Sequence, residues 1–149
     1  MTGLTVDTVL APVDGSDESA TAVEYALAIA ERYDARVHAL YVLGESVARG
    51  IEAGDLDAGA VAERNRAFVR DLRELAAQQG VPFKTSMAFG FSTRRKTQHP
   101  GSVILDCAEE VHADFVVVPR PSANGEKSLV LEKAAEYVLL YASQPVLSV

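Results

Sequence analysis

The sequence predicts an α/β fold, a doubly wound five-stranded parallel sheet in the order 3-2-1-4-5 with helices on both faces. Three observations carry this prediction. Short apolar runs rich in β-branched residues alternate along the whole chain with stretches whose apolar residues recur at helical spacing. The runs at Thr8 to Val13 and Phe115 to Val118 are continuously apolar, as expected of strands covered on both faces, so they belong at the centre. The run from Phe83 to Phe89 instead alternates Phe83, Met87 and Phe89 with Lys84, Ser86 and Ala88, the pattern of an edge. With right-handed crossovers, that combination selects the stated order.

Taken in order, Thr8 to Val13 is the first strand, and Asp14-Gly15-Ser16-Asp17 supplies a turn and a helix cap. The first helix runs to about Tyr33, with Ala22, Ala26, Ile29, Ala30 and Tyr33 facing inward. Val37 to Leu43 is the second strand. Gly44 to Gly59 carries four glycines, several acidic residues and little periodicity, which predicts a mobile loop with a short helical turn. A second helix spans about Val61 to Gln79 with Phe68, Leu72, Leu75 and Ala76 buried, and Gly80 suits a left-handed cap. After the third strand and a polar loop comes a short helix with Val103, Ile104, Cys107, Ala108 and Val111 inside. Phe115 to Val118, stopped by Pro119 and Pro121, leads through a turn at Gly125 into a last helix. Its apolar side is Val130, Leu131, Ala134, Ala135, Val138, Leu139 and Ala142, and Val146 to Val149 closes the sheet.

The length of 149 residues fits one domain, and no repeat or low-complexity segment interrupts it. A net charge of −7 argues against nonspecific binding to nucleic acid or an anionic membrane, both of which need clustered basic residues. The local exception is Arg94, Arg95 and Lys96, a solvated loop or an anion or partner site. The single cysteine, Cys107, forms no internal disulfide and sits on a buried stripe with no adjacent cation, which describes an inert core thiol. His38, His99 and His112 lack metal-ligand spacing. With no leader-like start and no apolar run of membrane length, the expected compartment is the cytoplasm. No serine, histidine and acid form a recognisable nucleophile, base and orienter.

In the order 3-2-1-4-5 the topological switch lies between the first and fourth strands, so Asp14 to Ser16 should face Pro119 to Gly125 across one crevice. Asp14 has two open roles: a ligand contact, or a turn residue whose carboxylate accepts the backbone N–H of Ser16 or Asp17. Ser16 and Asp17 read as caps.

The opening VLAPVDGSDES, the VHALYV of the second strand, ADFVVVP of the fourth and above all the ending AAEYVLLYASQPVLSV closely resemble the universal stress protein family over essentially the whole chain. The resemblance implies a dimeric stress-response module rather than an enzyme, with an adenine-nucleotide site in nucleotide-binding members. It carries contacts to the nucleoside onto Pro12, Val13, Asp14 and Val42, with Val118 lining the pocket. In those members the fourth strand runs into Gly, two residues, Gly, nine residues, then Gly followed by Ser or Thr, which grips the ATP phosphates. Here Pro119, Ser122, Glu132 and Lys133 occupy these four positions.

Glycines in a phosphate loop let backbone N–H groups approach the anion, whereas proline has no N–H to offer. A Glu132 carboxylate about 4 Å from a phosphate charge would cost on the order of 4 kcal/mol at an effective dielectric of about 20, against roughly 0.3–1 kcal/mol from a helix N-terminus. Arg120 and Lys133 could supply cations nearby, and the amides of Ala123 to Lys127 could form an anion nest. The expected protein is thus an interaction module without tight ATP binding and with no cofactor; the alternative binds ATP or AMP through an altered loop. DGSDES also faintly resembles the loop of ATP-pyrophosphatase-type enzymes, but without the adjacent glycine pair. The final strand, apolar and at the sheet edge, is expected to pair with its copy in a homodimer through Val146, Leu147 and Val149. An unknown protein partner completes the expectation.

Overall fold

A computed structural model describes residues 3–89, 99–120 and 130–149. Five parallel strands form one sheet in the order β3-β2-β1-β4-β5. They are β1 (Thr8–Val13), β2 (Arg36–Leu43), β3 (Phe83–Phe89), β4 (Phe115–Val118) and β5 (Val146–Ser148). The helices are α1 (Asp17–Tyr33), α2 (Glu45–Glu52), α3 (Ala58–Gln78), α4 (Pro100–Glu110) and α5 (Val130–Tyr141).

Every residue of β1 is buried, because it pairs on both sides and is covered on both faces. Its odd side chains, Val9, Ala11 and Val13, join Val37 and Tyr41 of β2 beneath α1 and α3. Leu10 joins Leu40, Val42, Val116 and Val118 beneath α4 and α5. The alternation along a strand thus divides the apolar residues into two cores, one per face.

Two inward assignments fail among the described side chains, which do not include that of Val130. Tyr33 is 50% exposed at the last turn of α1, and Val23 and Leu27 fill the inner face instead. Leu139 is 46% exposed on α5, one position round the helix from the buried Val138.

The segment from Gly44 to Gly59 is more ordered than its composition suggests. It contains α2, whose Val47, Ala48 and Ile51 share one half-buried side, and α3 starts at Ala58 under an Asp57 cap that accepts the Ala60 N–H at 3.1 Å. Three apolar residues in eight, with Gly50 among them, give too short a period to stand out in sequence.

Candidate functional site

The pairing of β1 with β4 covers Val9↔Phe115 and Leu10↔Val116, while β1 stays paired with β2 as far as Val13↔Tyr41. The carboxyl ends of β1 and β4 therefore part, which opens the crevice of a doubly wound sheet at its switch point.

The turn after β1 is built around Asp14. Its Oδ1 accepts the backbone N–H of Ser16 at 3.0 Å and also the Ser16 hydroxyl. Ser16 caps α1 by accepting the Ser19 N–H at 3.1 Å, and the buried Ser19 hydroxyl donates back to the Ser16 carbonyl at 2.9 Å. Both the turn role of Asp14 and the capping role of Ser16 are thereby present. Among the described residues, the second carboxylate oxygen of Asp14 is buried with no hydrogen-bond partner. A buried acceptor left unpaired costs about 1–3 kcal/mol, so this oxygen is a place where a donor from a ligand would be gained rather than exchanged.

Asp14 borders a cavity of about 410 Å³ that also takes in Val42, Gly44, Ser46, Arg64 and Asn65. Of the residues singled out from sequence, Asp14 and Val42 meet here. Pro12, Val13 and Val118 are buried in the sheet beside it, and Val42 and Val118 pack in the core under α4 and α5. Arg120 and Lys133 are exposed, and neither lines this cavity. Ser122, Pro121, Ala123 to Lys127 and the Arg94, Arg95, Lys96 run lie outside the described residues.

The end of β4 is informative. Pro119 is buried, and the next backbone N–H, that of Arg120, donates to the Val149 carbonyl at 2.7 Å. The first two positions after the strand therefore have no amide free for an anion: one lacks the hydrogen and the other has spent it.

Residues of α3 were not recognisable as part of the site from motifs. Asn65 accepts the Tyr41 hydroxyl at 2.7 Å, and Tyr41 packs edge-on against Phe68. The available signal was a polar residue on an apolar stripe, since Val61, Asn65, Phe68 and Leu72 follow helical spacing. The Tyr41 phenol is pushed up to about 12, chiefly by burial and secondarily by Asp14, with Arg64 opposing.

On the other face, His38 and Ser86 are hydrogen bonded at 2.7 Å, and burial with nearby Lys84 lowers the imidazole pKa. Burial raises the Cys107 thiol, which keeps it a poor nucleophile. Among the described residues no three His, Cys, Asp or Glu side chains gather as a metal site, and no helix is long and apolar enough to cross a membrane.

Fold and crevice together define a doubly wound α/β module of the kind that takes ligands at the carboxyl edge of its sheet. The universal stress protein family model matches residues 5–149, and the chain belongs to that family. It is 31% identical over 144 residues to universal stress protein MJ0531 of Methanocaldococcus jannaschii, covering 95% of this chain and 80% of that one. Universal stress protein UspA from Lactobacillus plantarum superposes with a TM-score of 0.73 at 23% identity over 99% of both chains. A universal stress protein solved in complex with cAMP gives a TM-score of 0.68 at 22% identity over 98% of both.

Proposed function

We propose that this universal stress protein is a dimeric interaction module that does not bind ATP tightly. The observation that carries the reading is the end of β4, where Pro119 has no N–H and the Arg120 N–H is held by Val149. Phosphate loops rely on a run of free amides, and this one loses its first two. Glu132 stands in place of the family's third glycine; its side chain lies outside those described, and a carboxylate held about 4 Å from a phosphate there would repel it. The reading includes no catalytic step. Dimerisation is supported by β5, which pairs with β4 on one side and leaves its other edge without a described strand, and by exposed Leu140 and Tyr141 on the adjoining α5.

A second reading, an adenine-nucleotide module with an altered phosphate loop, is favoured by one observation. The unpaired Asp14 oxygen at the 410 Å³ cavity supplies an acceptor for a nucleoside donor, and the relative solved with cAMP supports a ligand of that class. Equilibrium titration with ATP, ADP and AMP separates the two. The first predicts no submillimolar ATP affinity. Submillimolar ATP binding overturns it, whereas AMP binding without ATP binding selects the second.

A further inference from the structure

A second, larger cavity of about 800 Å³ adjoins the crevice and is an open groove lined by α2, α3, the end of β2 and the end of β3. It shares Tyr41, Leu43, Val47, Val61 and Asn65 with the smaller one, but neither Asp14 nor Gly15 reaches it. Its volume lies in the range of about 300–1,000 Å³ usual for small-molecule sites. The interior is apolar, formed by Leu43, Val47, Ile51, Val69 and Met87. Met87 pairs in register with Tyr41 on the face that α3 covers, yet it is 59% exposed, because α2 and α3 do not close over the sheet edge.

The polar side chains in these walls already have partners. Tyr41 donates to Asn65 at 2.7 Å, and Thr85 accepts from Arg73 at 3.3 Å. A ligand rich in hydrogen-bonding groups would find few free ones inside. At the rim, however, α3 places Arg66, Arg70 and Arg73 on one side of the helix, against the two acids Glu63 and Asp71, an excess of one positive charge. Arg66 is tied to Glu63 at 2.8 Å and Arg70 to Asp71 at 3.6 Å, both as exposed surface pairs that an incoming anion can replace at little cost. In a chain of net charge −7, this rim is locally positive.

We propose that the groove between α2, α3 and β3 binds a single-chain anionic amphiphile of the fatty-acid type, its hydrocarbon along Val47, Ile51 and Met87 and its carboxylate at Arg66 and Arg70. Arg73 belongs to the wall rather than the head-group site, since its guanidinium lies on the Phe83 ring at 5.7 Å and donates to Thr85. The ligand separates from the nucleotide question because Asp14 and Gly15 line only the smaller cavity.

The test is calorimetric titration of delipidated protein with sodium octanoate and dodecanoate, 1-dodecanol and dodecyltrimethylammonium, each kept below its micellar concentration. Dodecanoate should bind, with affinity rising roughly fourfold per methylene from octanoate. The alcohol should bind at least about tenfold more weakly, and the cation more weakly still. Salt near 1 M, where the screening length is about 3 Å, should weaken dodecanoate and leave the alcohol unchanged. Arg66→Glu with Arg70→Glu, both on exposed side chains, should lower dodecanoate affinity about tenfold or more with the circular dichroism spectrum retained. Ala48→Trp, which fills the groove from α2, should abolish binding of every chain. Absence of dodecanoate binding, equal binding of anion and cation, or full affinity in the charge variant would each overturn the proposal. So would a change of oligomeric mass in Ala48→Trp, which would make the groove a contact for a second copy.

Discussion

The Tyr41 hydroxyl donates to Oδ1 of Asn65 at 2.7 Å, and that bond joins β2 to α3 in the wall common to both cavities. Tyr41→Phe removes the donor and leaves the Asn65 oxygen without it. The expected cost is about 1 kcal/mol in urea denaturation near neutral pH. The phenol also sets a pH dependence. Its folded pKa is about 12 against an ordinary 10.0, so between these values the unfolded chain releases the proton first and stability falls as pH rises. Below pH 10 the contribution is fully present. The wild-type protein should therefore lose stability across that window relative to Tyr41→Phe; parallel curves would refute the assignment.

Gly15 holds φ +86°, and a Cβ there would lie 2.6 Å from the Tyr41 hydroxyl. Gly80, at the end of α3, holds φ +69° in open space. Alanine at either position meets a left-handed backbone, which costs about 1–2 kcal/mol, but only Gly15→Ala also displaces a bonded tyrosine. Thermal unfolding should rank Gly15→Ala clearly below Gly80→Ala. Equal losses would show that the tyrosine moves aside freely.

Replacing Pro119, Ser122 and Glu132 with Gly and Lys133 with Ser restores the family's phosphate pattern. A folded variant should bind ATP more tightly than the wild-type chain. No gain in titration would mean that the Arg120 to Val149 bond, rather than the four side chains, keeps the turn closed to phosphate.

Leu147→Lys places two like charges near the two-fold axis of the proposed β5 contact. Sedimentation should find the wild-type chain dimeric at tens of micromolar and the variant monomeric and folded. A monomeric wild type would exclude the contact, and a fully dimeric variant would move it elsewhere.

The helix α2 has Gly44 at its N-cap, which offers no side-chain hydrogen bond, and rests on a half-buried side of three residues. Its amides should exchange with solvent much faster than those of β1 and β4. Protection equal to β4 would show that the groove is rigidly closed on that side.

Sheet order was legible because each strand's apolarity reports how many sides it has covered: continuous in β1 and β4, alternating in β3. The Asp14 turn and Ser16 cap were legible for a similar reason, since their bonds are local and short polar side chains at fixed offsets make them. The large groove was not. Nothing in the spacing of Arg66, Arg70 and Arg73 distinguishes them from the solvated side of any helix, and the floor beneath them is assembled from β2, α2 and β3 by strand register. Likewise, nothing in the sequence says that the Arg120 amide will end on Val149, a contact that depends on how β4 and β5 are aligned.

The central position of β1 also bears on the order in which the molecule forms. On one side it meets β2 after a single helix, through pairs such as Val9↔Val37. On the other, Thr8 must find Asp114 across 106 residues. Each doubling of an open loop adds about 0.6 kcal/mol of closure entropy, and contacts so distant in sequence slow a folding reaction. The half built from β1, α1 and β2 therefore has the entropic advantage of closing first, with β4 docking late onto a preformed surface. Substitutions such as Val116→Ala should then speed unfolding more than they slow refolding, while Val37→Ala should do the reverse.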